Sequence, residues 1–187
     1  IILTLIFIVA TLVQCIAQLS ATSVQNNNFL SPSTWDCNCI PLPGYNITID
    51  HTVTLDTPQV FFADSFIITT NGILRDDGSG KIFTIGSGSG IVINNGYFDI
   101  AHFENGGFHI YNNDTFRVDK FFRTLAWFTN NGVVLDVDSL ITGSGFTNNL
   151  TGSVQATWFR DYEVVSNYGM ISCVDYTDSY FSENYGT

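Results

Sequence analysis

Asn94-Asn95-Gly96 opens a pattern that returns every eighteen residues between Ile91 and Thr187. The same register holds further triplets and one later asparagine: Asn112-Asn113-Asp114, Asn130-Asn131-Gly132, Asn148-Asn149-Leu150, Ser166-Asn167-Tyr168 and Asn184. A fixed period of this length is the signature of a solenoid, in which each repeat forms one turn of a coil. We therefore expect residues 40–187 to form one repetitive domain.

Three rows of mostly apolar residues accompany the asparagines at intervals of six positions. They are Val92, Ile110, Phe128, Phe146 and Val164; Phe98, Phe116, Val134, Gly152 and Met170; and Glu104, Phe122, Leu140, Trp158 and Tyr176. Three inward rows predict a three-sided coil with one strand per side. The sequence thus predicts an all-β fold, a single-stranded parallel β-helix (β-solenoid) with turns of about eighteen residues, in which Gly152 and Glu104 are exceptions to the pattern.

The asparagines themselves predict a ladder of stacked amides. Successive turns lie one strand spacing apart, ~4.8 Å, so equivalent side chains can hydrogen-bond along the stack. The predicted ladder contains Asn94, Asn95, Asn112, Asn113, Asn130, Asn131, Asn148, Asn149, Asn167 and Asn184. We expect Asn131 to be buried in it, and Asn105, which is off the register, to tolerate substitution.

Upstream, the repeat continues with insertions. Ile67–Leu74 matches Ile91–Phe98 at an offset of 24, and the six extra residues fall in the Gly/Ser-rich segments 76–80 and 86–90. Neither segment ends in the Gly-Lys-Ser/Thr of a phosphate-binding loop, so both are interpreted as turns. The alternation over Ile47–Leu55 predicts a half-buried strand in a still earlier turn.

The first thirteen residues are apolar, which is too short for a membrane span of ~20 residues. Their length is typical of a secretory signal, and Cys15 and Ala17 are the small residues expected before a cleavage point at Gln18. Gln14 disfavours a lipoprotein signal. We assign residues 1–21 to a signal peptide with an incomplete leader and residues 22–39 to a linker and N-terminal cap. The alternative is a retained, pilin-like N-terminal helix in a filament subunit, although β-branched residues disfavour it.

Cys37, Cys39 and Cys173 remain after removal of the signal. An exported protein is oxidised, which predicts one disulfide and one odd thiol among these three. Zinc is the alternative for Cys37 and Cys39, but His51, His102 and His109 are scattered and supply no second ligand pair.

The net charge is −11, with six basic and seventeen acidic residues. This balance argues against nucleic acid and anionic membranes, both of which bind basic surfaces. The expected location is secreted or at the cell surface, and the expected partner is an extracellular glycan or a surface protein.

Charged residues gather on one predicted side of three successive turns. They are Asp99, His102, Arg117, Asp119, Lys120, Asp136 and Asp138. We expect Asp99 to pair with Arg117 and Lys120 with Asp138 in a solvated ion-pair ladder. The alternative is a catalytic or calcium-binding face, with carboxylates as ligands or acid/base groups. Asp136 is anomalous because the equivalent residues are apolar, so it is either inward and hydrogen-bonded or marks a bulge.

The turns Phe128-Thr129-Asn130-Asn131-Gly132 and Phe146-Thr147-Asn148-Asn149 resemble the pectin-lyase-like single-stranded parallel β-helix. The opening Trp35-Asp36-Cys37-Asn38-Cys39-Ile40-Pro41, with Asn46-Ile47-Thr48-Ile49, is similar to β-helix regions in secreted surface proteins of Bacteroidota. The resemblance implies a fold rather than an activity. Enzymes of this fold use clustered aspartates, or calcium with a basic residue, but no such signature matches here residue by residue. The period also fits a left-handed β-helix, whereas the many Phe residues favour a right-handed coil.

Residues 181–187 begin another turn without a cap. We expect the natural protein to continue beyond them, and an open solenoid end to promote self-association. The functional expectation is a structural or adhesive β-helix segment that binds glycans without catalysis. The alternative is a polysaccharide lyase or glycoside hydrolase of the β-helix type.

Overall fold

The computed structural model describes residues 20–61, 64–86, 88, 90–178 and 181–187. The strands among these residues pair in parallel, one 3-10 helix lies at Pro32–Thr34, and an isolated antiparallel bridge joins Ser23 to Trp35. The strands are β1 (Ser20–Thr22), β2 (Asn27–Asn28), β3 (Asn46–Ile49), β4 (Thr52–Leu55), β5 (Gln59–Phe61), β6 (Ser65–Ile68), β7 (Ile73–Asp76), β8 (Ile82–Ile85), β9 (Ile91–Asn94), β10 (Tyr97–Asn105), β11 (His109–Asn112), β12 (Thr115–Thr124), β13 (Trp127–Asn130), β14 (Val133–Thr142), β15 (Gly145–Asn148), β16 (Ser153–Asp161), β17 (Val164–Asn167), β18 (Met170–Asp178) and β19 (Phe181–Asn184).

The strands stack into a coil with three sides. The first side is a nine-stranded sheet in the order β1-β3-β6-β9-β11-β13-β15-β17-β19. A ten-stranded sheet forms the other two sides. Its long strands, such as β10 and β12, bend at a corner, so their first halves lie on the second side and their second halves on the third. The prediction of an all-β parallel solenoid is confirmed.

The repeat length is less constant than the sequence register implies. Inner asparagines are separated by eighteen residues as far as Asn148, then by nineteen to Asn167 and seventeen to Asn184. An insertion at Leu150-Thr151 causes the shift, because Val134 pairs with Val154. As a result, several side chains that face the core after this insertion lie one or two positions further along the sequence than predicted.

Five predicted inward positions are corrected, four of them as a result of this shift. The side chains that fill the core are Val165 instead of Val164, Val154 instead of Gly152, Ile171 instead of Met170, Phe159 instead of Trp158, and Phe103 instead of Glu104. The change from Glu104 to Phe103 arises at the corner between β10 and β12. There β12 has two residues, Asp119 and Lys120, opposite the single residue Ala101 of β10.

The first turn of the coil begins earlier than expected. Ser20–Thr22 pairs in parallel with β3, and Phe29 and Trp35 are buried in the core. The Trp35 indole donates a 2.9 Å hydrogen bond to the Phe29 carbonyl. This part of the chain thus contributes Ala21, Phe29 and Trp35 to the core of the first turn, whereas Val24 is exposed. The predicted signal peptide and the pilin-like helix fall almost entirely on residues 1–19, which lie outside the described residues.

The alternating segment Ile47–Leu55 forms two strands, β3 and β4, instead of one. A corner at Asp50-His51 separates them, and both backbone N–H groups there donate to the Ser23 hydroxyl, at 2.8 and 3.0 Å. This bond explains how an unbroken alternating pattern can turn a corner.

Phenylalanine rings fill most of the core. Phe98 stacks on Phe116 with ring centroids 4.1 Å apart, and Phe128 stacks on Phe146 at 5.3 Å. Between these pairs, Phe122 packs edge-on against Phe128. Each ring contributes packing and burial, so the apolar stack is the main stabilising term of the fold. Within the described residues, no helix has the length and hydrophobicity of a membrane span.

Candidate functional site

The inner row of asparagines lies at the corner that follows the first side. Asn94, Asn112, Asn130 and Asn148 are fully buried. Each Nδ2 donates to the Oδ1 of the next asparagine at 2.8 Å, a chain that continues through Asn167 to Asn184. The same amides donate to backbone carbonyls, for example Asn112 to Val133 at 3.2 Å. The row starts at Asn94, because the residue paired with Asn94 in the preceding turn is Ile68 of β6. These two residues are 26 positions apart, so the offset of 24 found in the sequence does not hold on this side.

An outer row of asparagines lies one residue further along. Asn113 donates to Asn95 at 2.8 Å, Asn131 to Asn113 at 2.7 Å, and Asn149 to Asn131 at 2.5 Å. The first two bonds are exposed at the surface, and the third is partly buried. The expectation that Asn131 is buried is therefore wrong, because the corner directs alternate side chains to opposite faces.

A second buried polar row was not predicted. Asn105 lies beside Thr124, followed by Thr142 and Asp161. The Asn105 amide donates to Thr124 Oγ1 at 2.9 Å and to the Phe108 carbonyl at 2.6 Å, and Thr142 donates to Asp161 at 2.6 Å. Asn105 is thus a buried corner residue and not a tolerant one. The row escaped detection because two of its three steps are nineteen residues long.

The close stacking of turns explains a glycine at the outer corner. A Cβ added to Gly132 would overlap the backbone carbonyl and amide of Asp114 in the preceding turn. Glycine is required there for close backbone approach rather than for an unusual backbone angle.

Four of the predicted charged residues form one ionic cluster on the second side. Arg117 Nε lies 2.9 Å from Asp136 and 3.1 Å from Asp119, and Nη1 lies 3.6 Å from Asp99. The pairing of Asp99 with Arg117 follows the expectation. We call these four residues the Arg117 cluster.

Asp136 reaches Arg117 because β14 bulges at this residue. Its φ is +57°, in the left-handed region, and the register shifts between Val134 and Val137. Val137 takes the inward position, and Asp136 is exposed. Of the two interpretations of this aspartate, the bulge is the one observed.

The other three charged residues lie apart from the cluster. His102 is on the third side, between Ile82 and Phe121. Lys120 Nζ lies 3.5 Å from the position of a Cβ on Gly80, and it makes no ion pair with Asp138 among the described residues. Among the described residues the expected pair is thus not formed, although β12 and β14 stay eighteen residues apart on both sides of this corner.

Burial and charge shift two pKa values in the Arg117 cluster. Burial raises the pKa of the Asp99 carboxyl above its usual value, against the opposing effect of Arg117. The hydrogen bond to Asp136, together with the neighbouring carboxylates, raises the pKa of the Arg117 guanidinium. Arg117 therefore stays protonated and is unsuited to abstract a proton.

The residues that could bind a metal are dispersed. Among the described residues, no three His, Cys, Asp or Glu side chains come close enough to hold a metal ion. Cys37 and Cys39 form a disulfide across Asn38, whose φ is +49°. Cys173 is a half-buried free thiol, and burial followed by the charge of Asp175 raises its pKa.

Asp136 and Asp138 line a surface groove of about 430 Å³ at the corner between the second and third sides. Gln155, Thr157 and Ser172 complete its polar wall. The groove is open and acidic, so it can accept hydroxyl groups as hydrogen-bond donors.

Large aromatic side chains remain exposed on the regular faces. Trp127 packs its ring over Gly145 in the next turn and is 47% exposed, and Trp158 on the third side is 56% exposed. Sequence reasoning placed Trp158 in the core, and the nineteen-residue turn moves it outside.

No protein-family model, curated protein or solved structure matches this chain.

Proposed function

We propose that this chain is part of a secreted or cell-surface protein in which the β-helix is a rigid structural and adhesive segment that binds glycans and performs no catalysis. The apolar residues 1–13 and the Cys37–Cys39 disulfide support an extracellular location.

The observation that carries the binding role is the exposure of Trp127 on the first side of the coil and of Trp158 on the third side. Tryptophan presents a large apolar surface with one polar N–H group, which suits the C–H faces and hydroxyl groups of sugars. Each ring is held by a strand that is paired on both sides, and this lowers the entropic cost of binding a ligand.

The arrangement of the charged residues also supports binding over turnover. The Arg117 cluster pairs three carboxylates with one guanidinium on a solvated face. Such clusters are common surface ion pairs that contribute modestly to stability. A catalytic pair would instead need an acid and a base with separated pKa values facing one cleft.

A second candidate is a polysaccharide lyase or glycoside hydrolase of the β-helix type. The groove beside Asp136 and Asp138 favours it, because two carboxylates beside a polar channel are the groups used in glycoside hydrolysis.

Incubation of the purified chain with acidic and neutral polysaccharides, with and without calcium, distinguishes the two functions. Retention of a glycan on an affinity gel, without new reducing ends or unsaturated products, is the expected result. Turnover that is abolished by Asp138→Asn or Lys120→Ala would instead establish the enzyme.

A further inference from the structure

Two tripeptides of the same kind occupy equivalent places on the third side. Phe121-Phe122-Arg123 in β12 and Trp158-Phe159-Arg160 in β16 each direct the middle phenylalanine into the core. The flanking aromatic ring and the arginine therefore face outward in both strands. We call these outward residues the two aromatic–arginine pairs.

The two pairs are in register, two turns apart. In the intervening strand β14, Ser139 lies between Phe121 and Trp158, and Ile141 lies between Arg123 and Arg160. Two strand spacings separate the pairs by ~9.6 Å along the coil axis.

Within the described part of the chain, the arginines of these pairs have no carboxylate partner. Among the described residues, Arg117 engages three aspartates, whereas neither Arg123 nor Arg160 forms an ion pair. The Arg160 guanidinium instead lies over the Tyr162 ring, 5.0 Å from its centroid. A cation–π contact uses the face of the guanidinium and leaves its N–H edge free to bind an anion.

The remaining charges define the ends of this surface. Glu104 is the neighbour of Arg123 in β10, and Asp175 is the neighbour of Trp158 in β18. These carboxylates flank the two pairs on opposite sides, so the region suited to an anion is limited to the span from β12 to β16.

From this geometry we propose that the two aromatic–arginine pairs bind an acidic polysaccharide that runs along the coil axis. Each pair offers a ring for a sugar face and a guanidinium for a carboxylate or sulfate group. The separation is comparable to the repeat of a disaccharide, so one polymer can contact both pairs. This assignment rests on the proposed glycan-binding function. The net charge of −11 acts against every polyanion, so the local positive charge of the two pairs has to carry the binding.

Binding of the full chain to alginate, dextran sulfate and neutral dextran tests the proposal. Alginate carries carboxylates and dextran sulfate carries sulfates, so the two arms identify the anionic group. We expect an Arg123→Gln/Arg160→Gln double variant to lose at least about tenfold in affinity for the acidic polymer that binds, and Trp158→Ala to weaken it as well. Arg75→Gln, on the second side, is the matched control and should bind like the wild type.

Melting temperatures of all variants establish that each is folded, since the substituted side chains are at the surface. Unchanged binding of acidic polymers by the folded double variant, or equal losses in Arg75→Gln, would overturn the assignment but leave glycan binding intact. Preference for dextran over both acidic polymers would do the same. Absence of binding to all three polymers would count against the proposed function itself.

Discussion

A one-residue step separates two asparagines with different physical roles. Asn130 is buried, and its amide donates to Asn148 Oδ1, Gly132 O and Ser153 O at 2.8, 3.2 and 3.1 Å. Asn131 donates its amide hydrogen bond to Asn113 at the surface. A buried amide that loses its partners leaves them unsatisfied, whereas solvent replaces the partners of an exposed one.

We expect Asn130→Leu to lower the free energy of unfolding by about 1–3 kcal/mol, because three acceptors lose their donor at once. Urea denaturation measures the change. Asn131→Leu is the control for the loss of an amide at the same corner, and its cost should stay below about 1 kcal/mol. Equal costs for the two variants would contradict the inner and outer assignment.

Asn105 provides an independent test of burial. Its side chain accepts from the Phe108 N–H at 3.0 Å and donates to Thr124 and Phe108. Asn105→Leu should therefore cost about 1–3 kcal/mol in the same urea assay. A fully stable variant would contradict this burial and support the expectation that Asn105 tolerates substitution.

The raised pKa of Asp99 predicts the direction of a pH effect. The Asp99 carboxyl binds a proton more tightly in the folded protein than in the unfolded chain. The charged carboxylate therefore destabilises the folded state at pH values above its folded pKa, and this destabilisation is relieved as the pH falls toward the usual value of 3.8. At about pH 7, Asp99→Asn should be at least as stable as the wild type, and the difference should shrink on acidification. Denaturation at several pH values measures it. Asp138→Asn controls for the loss of a carboxylate outside the cluster, and a clear loss of stability in Asp99→Asn at neutral pH would contradict the prediction.

At the scale of elements, the strand β14 keeps its register through one bulged residue. Asp136 holds a left-handed backbone that L residues adopt at a cost, and aspartate tolerates it better than a β-branched residue. The bulge compensates part of the insertion at Leu150-Thr151, because the offset between β14 and β16 falls from twenty residues at Val134 to nineteen at Ser139.

Asp136→Val should lower the free energy of unfolding by about 1–2 kcal/mol through backbone strain. Asp136→Asn loses the charge but tolerates the conformation, so it isolates the ion pair with Arg117, which we expect to contribute less than about 1 kcal/mol. Thermal and urea unfolding compare them. If Val and Asn variants prove equally stable, the bulge carries no strain.

At the scale of the whole molecule, stability lies in the continuous core and not in the covalent link. The Cys37–Cys39 disulfide closes a ring with a sequence separation of only two, and it is at the surface. Crosslinks restrict the unfolded chain less when the loop that they close is short. Trp35, in contrast, is buried against Phe29 with ring centroids 4.9 Å apart.

We expect a Cys37→Ser/Cys39→Ser variant to lose less than about 2 kcal/mol. Trp35→Ala, which opens a cavity in the first turn, should lose about 3–5 kcal/mol. Calorimetry under oxidising conditions gives both values. A larger loss for the double serine variant would show that the disulfide, rather than the aromatic core, holds the first turn.

The sequence by itself determined the repeat, the three-sided parallel coil and the stacking of asparagines. These features depend on local patterns, because a side chain that recurs every eighteen residues must meet its copies when the turns stack. The pairing of Asp99 with Arg117 followed from the same register, since neighbouring turns were regular there.

Tertiary structure alone decided which side of a corner each residue faces. Val165 rather than Val164 lies in the core, Trp158 lies at the surface rather than in the core, and Asn105 lies in the interior. One inserted or bulged residue reverses the facing of every later side chain in its strand, because strand side chains alternate with a period of two. The spacing in the sequence does not show whether an extra residue is accommodated in a corner or in a bulge, because either can hold it. Only the packing of the neighbouring turn decides between them.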